Sequence, residues 1–245
     1  MLRIGRCYPG KKTWGPAYMK WLRSQKLEHG EQRMALEELL EGVRQEGERV
    51  ERLEQAIREA VPEWSLVELV TAVQAMRGFD LIAAVGVVAE TGDLSRFQKP
   101  REFMGYLGLV PSESSTGDRV NRGGITKAGN GRARRLLVEA AWAYRHPARV
   151  GREKQAKVAA APRSVREIAW KAQTRLCRRF RFLERKGKRR TVVATAVARE
   201  LAALVWAINR EVMQNRQSTS SGAVDRSSRE GALDRPTAPL SIQIQ

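Results

Sequence analysis

An all-α fold is predicted from three observations on this 245-residue chain. Apolar residues recur at helical spacing in most segments, helix start and stop residues bracket these segments, and no stretch alternates convincingly with the period of a strand. With 42% hydrophobic residues, the chain can form a core. We therefore predict a coiled-coil helix followed by a helical domain that contains a helix-hairpin-helix-like unit and a Ser/Gly-rich loop.

The first 61 residues divide into a basic, irregular segment (1–30), interpreted as a linker, and a long helix (31–61) that Pro62 ends. One stripe of the helix holds apolar residues at heptad spacing, and only Glu46 interrupts it. Such a stripe indicates a short coiled coil, and hence a homo-oligomer or a partner helix. The alternative is a solvated helix that packs on its own domain. The stripe consists of Leu36, Leu39, Val43, Val50, Leu53, Ile57 and Ala60.

A larger domain is predicted over residues 62–213, and it starts with two helices (65–91) around a turn at residues 77–80. The second helix is almost entirely apolar, which predicts burial. A short turn with Gly78 and free amides at the next helix start can hold a DNA phosphate. Phe79 and Asp80 stand where such a hairpin prefers small residues, so a hairpin that only packs is the alternative.

Four further segments complete the predicted domain. A short helix starts at Lys99-Pro100 and reaches Leu107, and Asn130 is a suitable N-cap for the helix after the Ser/Gly-rich loop. Residues 163–186 form a strongly basic helix, and Thr191 to Val212 form the last packed helix. Residues 214–245 are rich in Ser, Arg, Gly, Thr and Pro, and this composition predicts a disordered tail.

The charge balance favours a polyanionic partner. The chain has 45 Lys and Arg against 27 Asp and Glu, a formal net charge of +18. An excess of this size favours nucleic acid, which is bound largely by release of phosphate counterions. The expected contacts lie in the loop, in the first turns of the helix after Asn130 and on the basic helix: Arg119, Arg122, Lys127, Arg132, Arg134, Arg135, Arg175, Arg178 and Arg179.

Several classes of function are disfavoured. The two cysteines, Cys7 and Cys177, form no CxxC pair and the two histidines are far apart, so no metal site is predicted and no cofactor is expected in this chain. Two distant cysteines also fit a reducing cytoplasm. No apolar run reaches the roughly 18 residues of a membrane span, and no apolar stretch follows the basic N-terminus as in a signal peptide.

The loop between Gly108 and Trp142 concentrates the candidate chemistry. Flexible glycines and cationic residues accompany four hydroxyl side chains, a composition that suits a phosphodiester. No histidine is near in sequence, so a Ser-His-Asp triad is poorly supported. A serine that attacks a phosphodiester needs positive charge around the phosphate oxygens, which the arginines could supply. The alternative is a loop that binds phosphate without reacting. The hydroxyls are Ser112, Ser114, Ser115 and Thr116.

Two strings in this loop, YLGLVPSESSTG (106–117) and GGITKAGNG (123–131), resemble one family closely. It comprises bacterial insertion-sequence transposases that join an N-terminal acidic DEDD, RuvC-like domain to a C-terminal domain with a serine; Piv-type DNA invertases are similar. Further stretches match, namely RRLLVEAAW (134–142), IAWKAQ (168–173) and ARELA (198–202). The resemblance covers about residues 10–213.

This resemblance implies that Ser115 attacks DNA and forms a phosphoserine link, with Ser114 and Thr116 as the alternatives. In the family, the acidic domain binds a divalent metal such as Mg²⁺ and completes the active site, and members also bind a structured guide RNA. Residues 1–27 of this chain contain no Asp or Glu. The expectation is therefore a truncated DNA transposase, inactive alone because the metal-binding domain is missing. A non-catalytic DNA- or RNA-binding remnant is the alternative.

Overall fold

The computed structural model describes residues 5–116 and 121–233, apart from the side chains of Arg122 and of residues 219–233. Helices dominate this part of the chain, and the all-α prediction is confirmed. In the order of the chain, the elements are α1 (Pro16–Arg23), α2 (Gly30–Ala60), α3 (Val67–Gln74), α4 (Leu81–Thr91), α5 (Pro100–Tyr106), β1 (Pro111–Glu113), β2 (Arg122–Ile125), α6 (Gly131–Ala141), α7 (Arg152–Ala159), α8 (Arg163–Arg185) and α9 (Arg190–Leu233).

The chain forms two compact units, Met1–Glu59 and Ala60–Gln245. The first unit contains α1, in a segment that the sequence analysis treats as irregular. Pro16 starts this helix, and Tyr8, Tyr18 and Trp21 pack against one another with ring centroids 5.0–5.8 Å apart. Ring packing of this kind stabilises a helix that is too short to persist alone.

Helix α2 corresponds to the predicted coiled-coil helix, and its apolar stripe faces solvent. The helix contributes no buried residue, and Leu39 and Leu53 are 70% and 53% exposed. Ion pairs between residues three or four apart lie on the rest of its surface, such as those that Arg44 makes with Glu41 and Glu48. Exposed leucines at heptad spacing are typical of a helix that pairs with another helix.

Helix α9 is the central helix of the second unit. Helices α3, α5, α6 and α8 all pack on it, and α4 packs on α3 and α6. Val193, Val197, Leu201 and Ile208 recur at helical spacing and are fully buried. The stretch Arg190–Ser218 is the one described helix whose length and composition would also allow it to span a membrane. Here its apolar face supplies the core of the helical unit.

The predicted turn between the first two helices of this unit is present between α3 and α4. Gly78 has a φ of +88°, and a Cβ there would lie 2.3 Å from the carbonyl oxygen of Ala140, so glycine is required for packing against α6. Phe79 is buried. The Asp80 carboxylate accepts a hydrogen bond from the Ala83 amide at 2.7 Å. One of the amides expected to be available for phosphate, that of Ala83, is thus bonded within the protein.

The last helix continues beyond the point where the composition predicts disorder. Helix α9 extends to Leu233, whereas the disordered tail is predicted from residue 214. No proline occurs between residues 163 and 235, so nothing in this stretch blocks helical hydrogen bonding. Arg216 forms an ion pair with Glu68 at 3.2 Å, which ties this part of α9 to α3.

Candidate nucleic-acid interface

The Ser/Gly-rich loop forms a β-hairpin, which the sequence analysis did not predict. Strands β1 and β2 pair antiparallel, with Pro111 opposite Ile125 and Glu113 opposite Arg122, and the register shifts between these pairs. Such short strands with an irregular register give no alternating pattern that could be recognised. The four hydroxyl residues lie in β1 or just after it, and all four are exposed.

Two glycines fix the base of this hairpin. Gly108 and Gly129 both have positive φ, and a Cβ at either position would lie 2.0 Å from a carbonyl oxygen, that of Ala128 or Tyr106. The Asn130 amide donates to the Tyr106 carbonyl at 3.0 Å, and the Lys127 amide donates to the Gly108 carbonyl at 3.1 Å. These glycines, predicted to be flexible, therefore allow a tight approach of two backbones.

Ser115 lies just beyond β1 and is exposed. Its Oγ donates a hydrogen bond to Glu113 Oε1 at 2.9 Å and accepts one from the Asn121 amide at 3.3 Å. The Ser112 Oγ instead donates to the Gly124 carbonyl at 3.1 Å. Of these two serines, Ser115 combines an exposed hydroxyl with a neighbouring carboxylate that can accept its proton.

The helix after the loop starts as predicted. The Asn130 side chain caps α6 by accepting from the Ala133 amide at 2.9 Å. Its Nδ2 donates to both the carbonyl oxygen and the carboxylate of Glu90, and Arg132 forms an ion pair with the same carboxylate at 3.4 Å. Glu90 of α4 therefore places a carboxylate at this helix start, where an anion is favourable and where it offsets the charge of Arg132.

A cationic cleft of about 900 Å³ lies beside the hairpin, between the strands and helices α5, α8 and α9. Pro111, Gly123 and Ile125 contribute the hairpin wall. Among the residues that the structure describes, its charged lining consists of one carboxylate and four cations: Glu200, Lys127, Arg175, Arg179 and Arg199. Glu200 bridges Arg175 and Arg179 at 3.2 Å each. Four cations against one carboxylate leave the cleft positive, as a phosphate backbone requires.

Lys127 enters this cleft from a strained backbone position. Its φ is +58°, the left-handed region that non-glycine residues seldom adopt. The hydrogen bond from its amide to Gly108 holds that conformation. Strain maintained by surrounding contacts is common in residues that a site has to position accurately.

The cleft brings together three of the predicted contact residues, Lys127, Arg175 and Arg179. Arg178 is exposed on α8 outside the cleft lining, and Arg135 is exposed and forms an ion pair with Glu139 at 2.8 Å. Arg119 lies outside the described residues, and the side chain of Arg122 is not described.

Arg134 differs from the other predicted contacts because its guanidinium is used inside the protein. Nη1 donates to the Leu107 carbonyl at 2.8 Å and to the Ala128 carbonyl at 3.4 Å. The side chain is half-buried. Arg134 thus binds both chain segments that meet at the hairpin base, a structural contribution that its position near other arginines did not indicate.

Sequence reasoning missed Glu113, Arg199 and Glu200 as parts of the site. The spacing of Thr191, Thr195 and Arg199 on α9 was a usable signal, because residues four apart share a helix face. Glu113 had no such signal, since its contact with Ser115 depends on the conformation of the strand end.

The described residues do not group the donors that a divalent metal needs. In this part of the chain, no three His, Cys, Asp or Glu side chains are grouped as metal ligands. A hard cation such as Mg²⁺ is bound through carboxylates and water. Near the hairpin, the described carboxylates of Glu113 and Glu200 hydrogen-bond or pair with protein groups, so these two residues do not fit a metal site by themselves.

Fold and site first define a class: a strongly basic helical protein whose exposed serine hairpin adjoins a cationic cleft suited to phosphodiesters. Comparison with known proteins adds the family that the chain is similar to. Residues 70–155 match the model of the transposase IS116/IS110/IS902 family. This part of the chain is therefore similar to members of that transposase family, as are the longer stretches matched by the relatives described next.

Relatives include a "Putative transposase y4qE" of Sinorhizobium fredii, 53% identical over 90% of this chain and 52% of the relative. A "Probable family 20 transposase" of Pseudomonas aeruginosa is 32% identical over 65% of this chain and 40% of the relative. The transposase for insertion sequence element IS1111A of Coxiella burnetii is 28% identical over 56% and 31%, respectively. The chain thus spans about half the length, or less, of these relatives.

Proposed function

We propose that this chain takes part in DNA transposition, by binding DNA and supplying a serine nucleophile for strand cleavage and joining. The observation that carries the proposal is the exposed Ser115 Oγ, hydrogen-bonded to Glu113 on a hairpin whose wall lines a cationic cleft. Resemblance and relatives add support, because the names of the relatives all describe transposases.

Distances along the hairpin are compatible with a single DNA strand that lies in the cationic cleft and also reaches Ser115. Ser115 follows Pro111 of the cleft wall by four residues, which span at most about 14 Å when extended. Successive phosphates of one strand advance by about 3.4 Å along the duplex axis. A strand held in the cleft would therefore place one of its next few phosphates at Ser115.

In the proposed reaction, the Ser115 Oγ forms a bond to phosphorus while one phosphorus–oxygen bond of the DNA backbone breaks. Glu113 accepts the serine proton, and the departing sugar oxygen takes up a proton from water as it leaves. The cations of the cleft bind neighbouring phosphates of the same strand and so hold the reacting phosphate beside the Ser115 Oγ. Joining is the reverse step, in which a sugar hydroxyl attacks the phosphoserine and the serine regains its proton.

We further propose that a divalent metal and the acidic residues that bind it come from a DEDD-type domain, as in the family that the sequence resembles. This chain then acts as the serine-bearing part of a composite site and has no activity alone. A structured guide RNA is a second proposed partner. Because the proposed substrate is the bacterial chromosome, the cytoplasm is the proposed location.

A non-catalytic DNA- or RNA-binding protein is the second candidate function. The net charge of +18 favours it independently of the serine. The two functions differ in what Ser115→Ala changes. With the metal-binding domain supplied in trans, the transposase variant would retain its DNA affinity and lose strand joining, whereas the DNA affinity of a binding protein would be unaffected. Ser114→Ala is the matched control, because it removes an adjacent hydroxyl.

Binding itself is tested by fluorescence anisotropy of a labelled DNA duplex between about 50 and 200 mM salt. If six to ten phosphates are contacted, the affinity should fall by about 10³- to 10⁵-fold over this range. A flat response would contradict electrostatic binding, and with it both candidate functions.

Pairing through α2 is the proposed route to a homo-oligomer, with a second copy of this chain on the exposed stripe. Sedimentation velocity should show a concentration-dependent dimer that Leu39→Glu and Leu53→Glu each weaken, since a charge at a core heptad position opposes pairing. Glu51→Gln, on the same helix but outside the stripe, is the control. A wild-type monomer at high concentration would contradict pairing.

A further inference from the structure

A second cavity, of about 450 Å³, lies at the turn between α3 and α4, away from the serine hairpin. Its lining includes residues of the turn, of the loop before α7, of α7 and of α8, namely Arg77, Asp80, Arg149, Gly151, Lys154 and Gln173. None of these residues lines the cationic cleft or belongs to the hairpin.

The observation that indicates a ligand is the buried side-chain amide of Gln173, whose nitrogen lacks a hydrogen-bond partner in the described part of the chain. Its side chain is 6% exposed, and its Nε2 is buried without a hydrogen-bond partner among the described residues. Buried donors are almost always paired, and an unpaired one destabilises the fold. Because Gln173 lines the open cavity, a rotation of its side-chain amide towards the cavity would let an acceptor from outside the protein pair with this donor.

The charged groups around Gln173 specify what kind of acceptor fits. Arg77, Arg149 and Lys154 line the cavity, against one carboxylate, Asp80. That carboxylate caps α4 and so faces the Ala83 amide. Arg77 is positioned by a hydrogen bond from Nη1 to the Pro147 carbonyl at 2.7 Å. Cations in excess together with an amide donor select an oxyanion.

Lys154 is held at the cavity by a hydrogen bond from its Nζ to the Phe79 carbonyl. Burial lowers the pKa of its ammonium group to about 8, an effect that the nearby Lys157 reinforces. A bound anion would favour the protonated form of Lys154 and so offset the free-energy cost of burying its charge.

The start of α7 adds a further attraction for an anion. Gly151 is its N-cap and provides no side chain to cap the first turn, although it lines the cavity. Uncapped helix starts carry partial positive charge and backbone amides that bind anions. The helix start, the cations and the unpaired amide therefore converge on one space.

We propose that this cavity holds a phosphate group of a nucleic-acid backbone. The inference rests on the proposed function, since it gives the bound DNA a second contact away from the serine hairpin. The site differs from the amide-lined turn expected from the sequence, because the contacts come from side chains of α7, α8 and the turn.

The site itself is tested with inorganic phosphate as the probe, in the full chain labelled with ¹⁵N. Phosphate should shift the side-chain amide resonances of Gln173 in a saturable manner, and Lys154→Gln should weaken this binding roughly tenfold. Arg152→Gln, which removes a cation of the same helix outside the cavity lining, should leave it unchanged. Resonances that do not respond, or respond equally in both variants, would overturn the proposal.

The occupant is tested with the labelled DNA duplex. Gln173→Met should lower affinity roughly tenfold without changing the salt slope, whereas Lys154→Gln should lower the slope by about one. A purely structural glutamine predicts loss of folding stability in Gln173→Met. The proposal predicts stability that is unchanged or higher, because a buried unpaired donor disappears.

These outcomes distinguish a failure of the proposed function from a failure of the inference about this cavity. If the wild type does not bind DNA, the proposed function fails, although phosphate can still shift Gln173. If the wild type binds DNA and both variants bind it equally well, the inference fails alone. If phosphate shifts Gln173 but saturating DNA does not displace it, the occupant is free phosphate and the backbone assignment is wrong.

Discussion

The Gly129→Ala variant tests whether the close backbone contacts at Gly108 and Gly129, here called the glycine clamp, position the serine hairpin. Gly129 has a φ of +85°, which a non-glycine residue adopts at a cost of about 1–2 kcal/mol. The new Cβ would lie 2.0 Å from the Tyr106 carbonyl oxygen, so the two backbones must separate. Separation breaks the 3.0 Å hydrogen bond between the Asn130 amide and Tyr106, a further loss of about 1 kcal/mol.

We therefore expect Gly129→Ala to lower the free energy of unfolding by about 2–3 kcal/mol, measured by urea denaturation followed by circular dichroism. Gly124→Ala is the matched control in the same hairpin. A Cβ at Gly124 meets nothing within 4 Å and its φ is not positive, so the change should stay within about 0.5 kcal/mol. Equal effects for the two variants, or no effect of Gly129→Ala, would refute the clamp.

Three further outcomes follow from individual contacts. Asn130→Ala should destabilise the protein by about 1–2 kcal/mol in the same urea assay, because α6 loses its cap and the loop loses its bonds to Glu90; stability like that of the wild type would contradict this. Glu200→Gln should tighten DNA binding about threefold to tenfold in the anisotropy assay, since two arginines of α8 are released; weaker binding would contradict it. Burial lowers the pKa of Lys154 to about 8 in the fold, against 10.5 for an ordinary lysine, so its protonated form is penalised below pH 8 and the penalty disappears as the pH rises to about 10.5. Relative to Lys154→Gln, the wild type should thus gain melting temperature between pH 7 and pH 10; a constant difference would exclude the shift.

The helices could be predicted from sequence because their evidence is local. The cap at Asn130, the stop at Pro62 and the spacing of Val193 and Val197 each act within one or two turns. The positions of these elements relative to one another in the second unit depend on packing, which spacing alone does not give.

The hairpin and its surroundings could not be predicted, because they also depend on packing between residues that are distant in sequence. Strands of three and four residues show no alternation, and the clamp joins Gly129 to Tyr106 across 23 positions of sequence. Charge was a poor guide to individual arginines, because Arg134 satisfies backbone carbonyls while Arg175 lines the cleft. Gln173 had no sequence signal, since an unpaired donor is recognised only in a folded structure.

The central proposal is that Ser115 attacks DNA, and a covalent adduct tests it most directly. The chain would be incubated with a nicked DNA substrate that prevents rejoining. The part of the Sinorhizobium fredii relative that this chain does not match would be supplied in trans. Mass spectrometry of the digested protein should then locate DNA on Ser115 in the wild type and in Ser114→Ala, and find none in Ser115→Ala. An adduct at another residue, or one that persists in Ser115→Ala, would contradict the proposed mechanism.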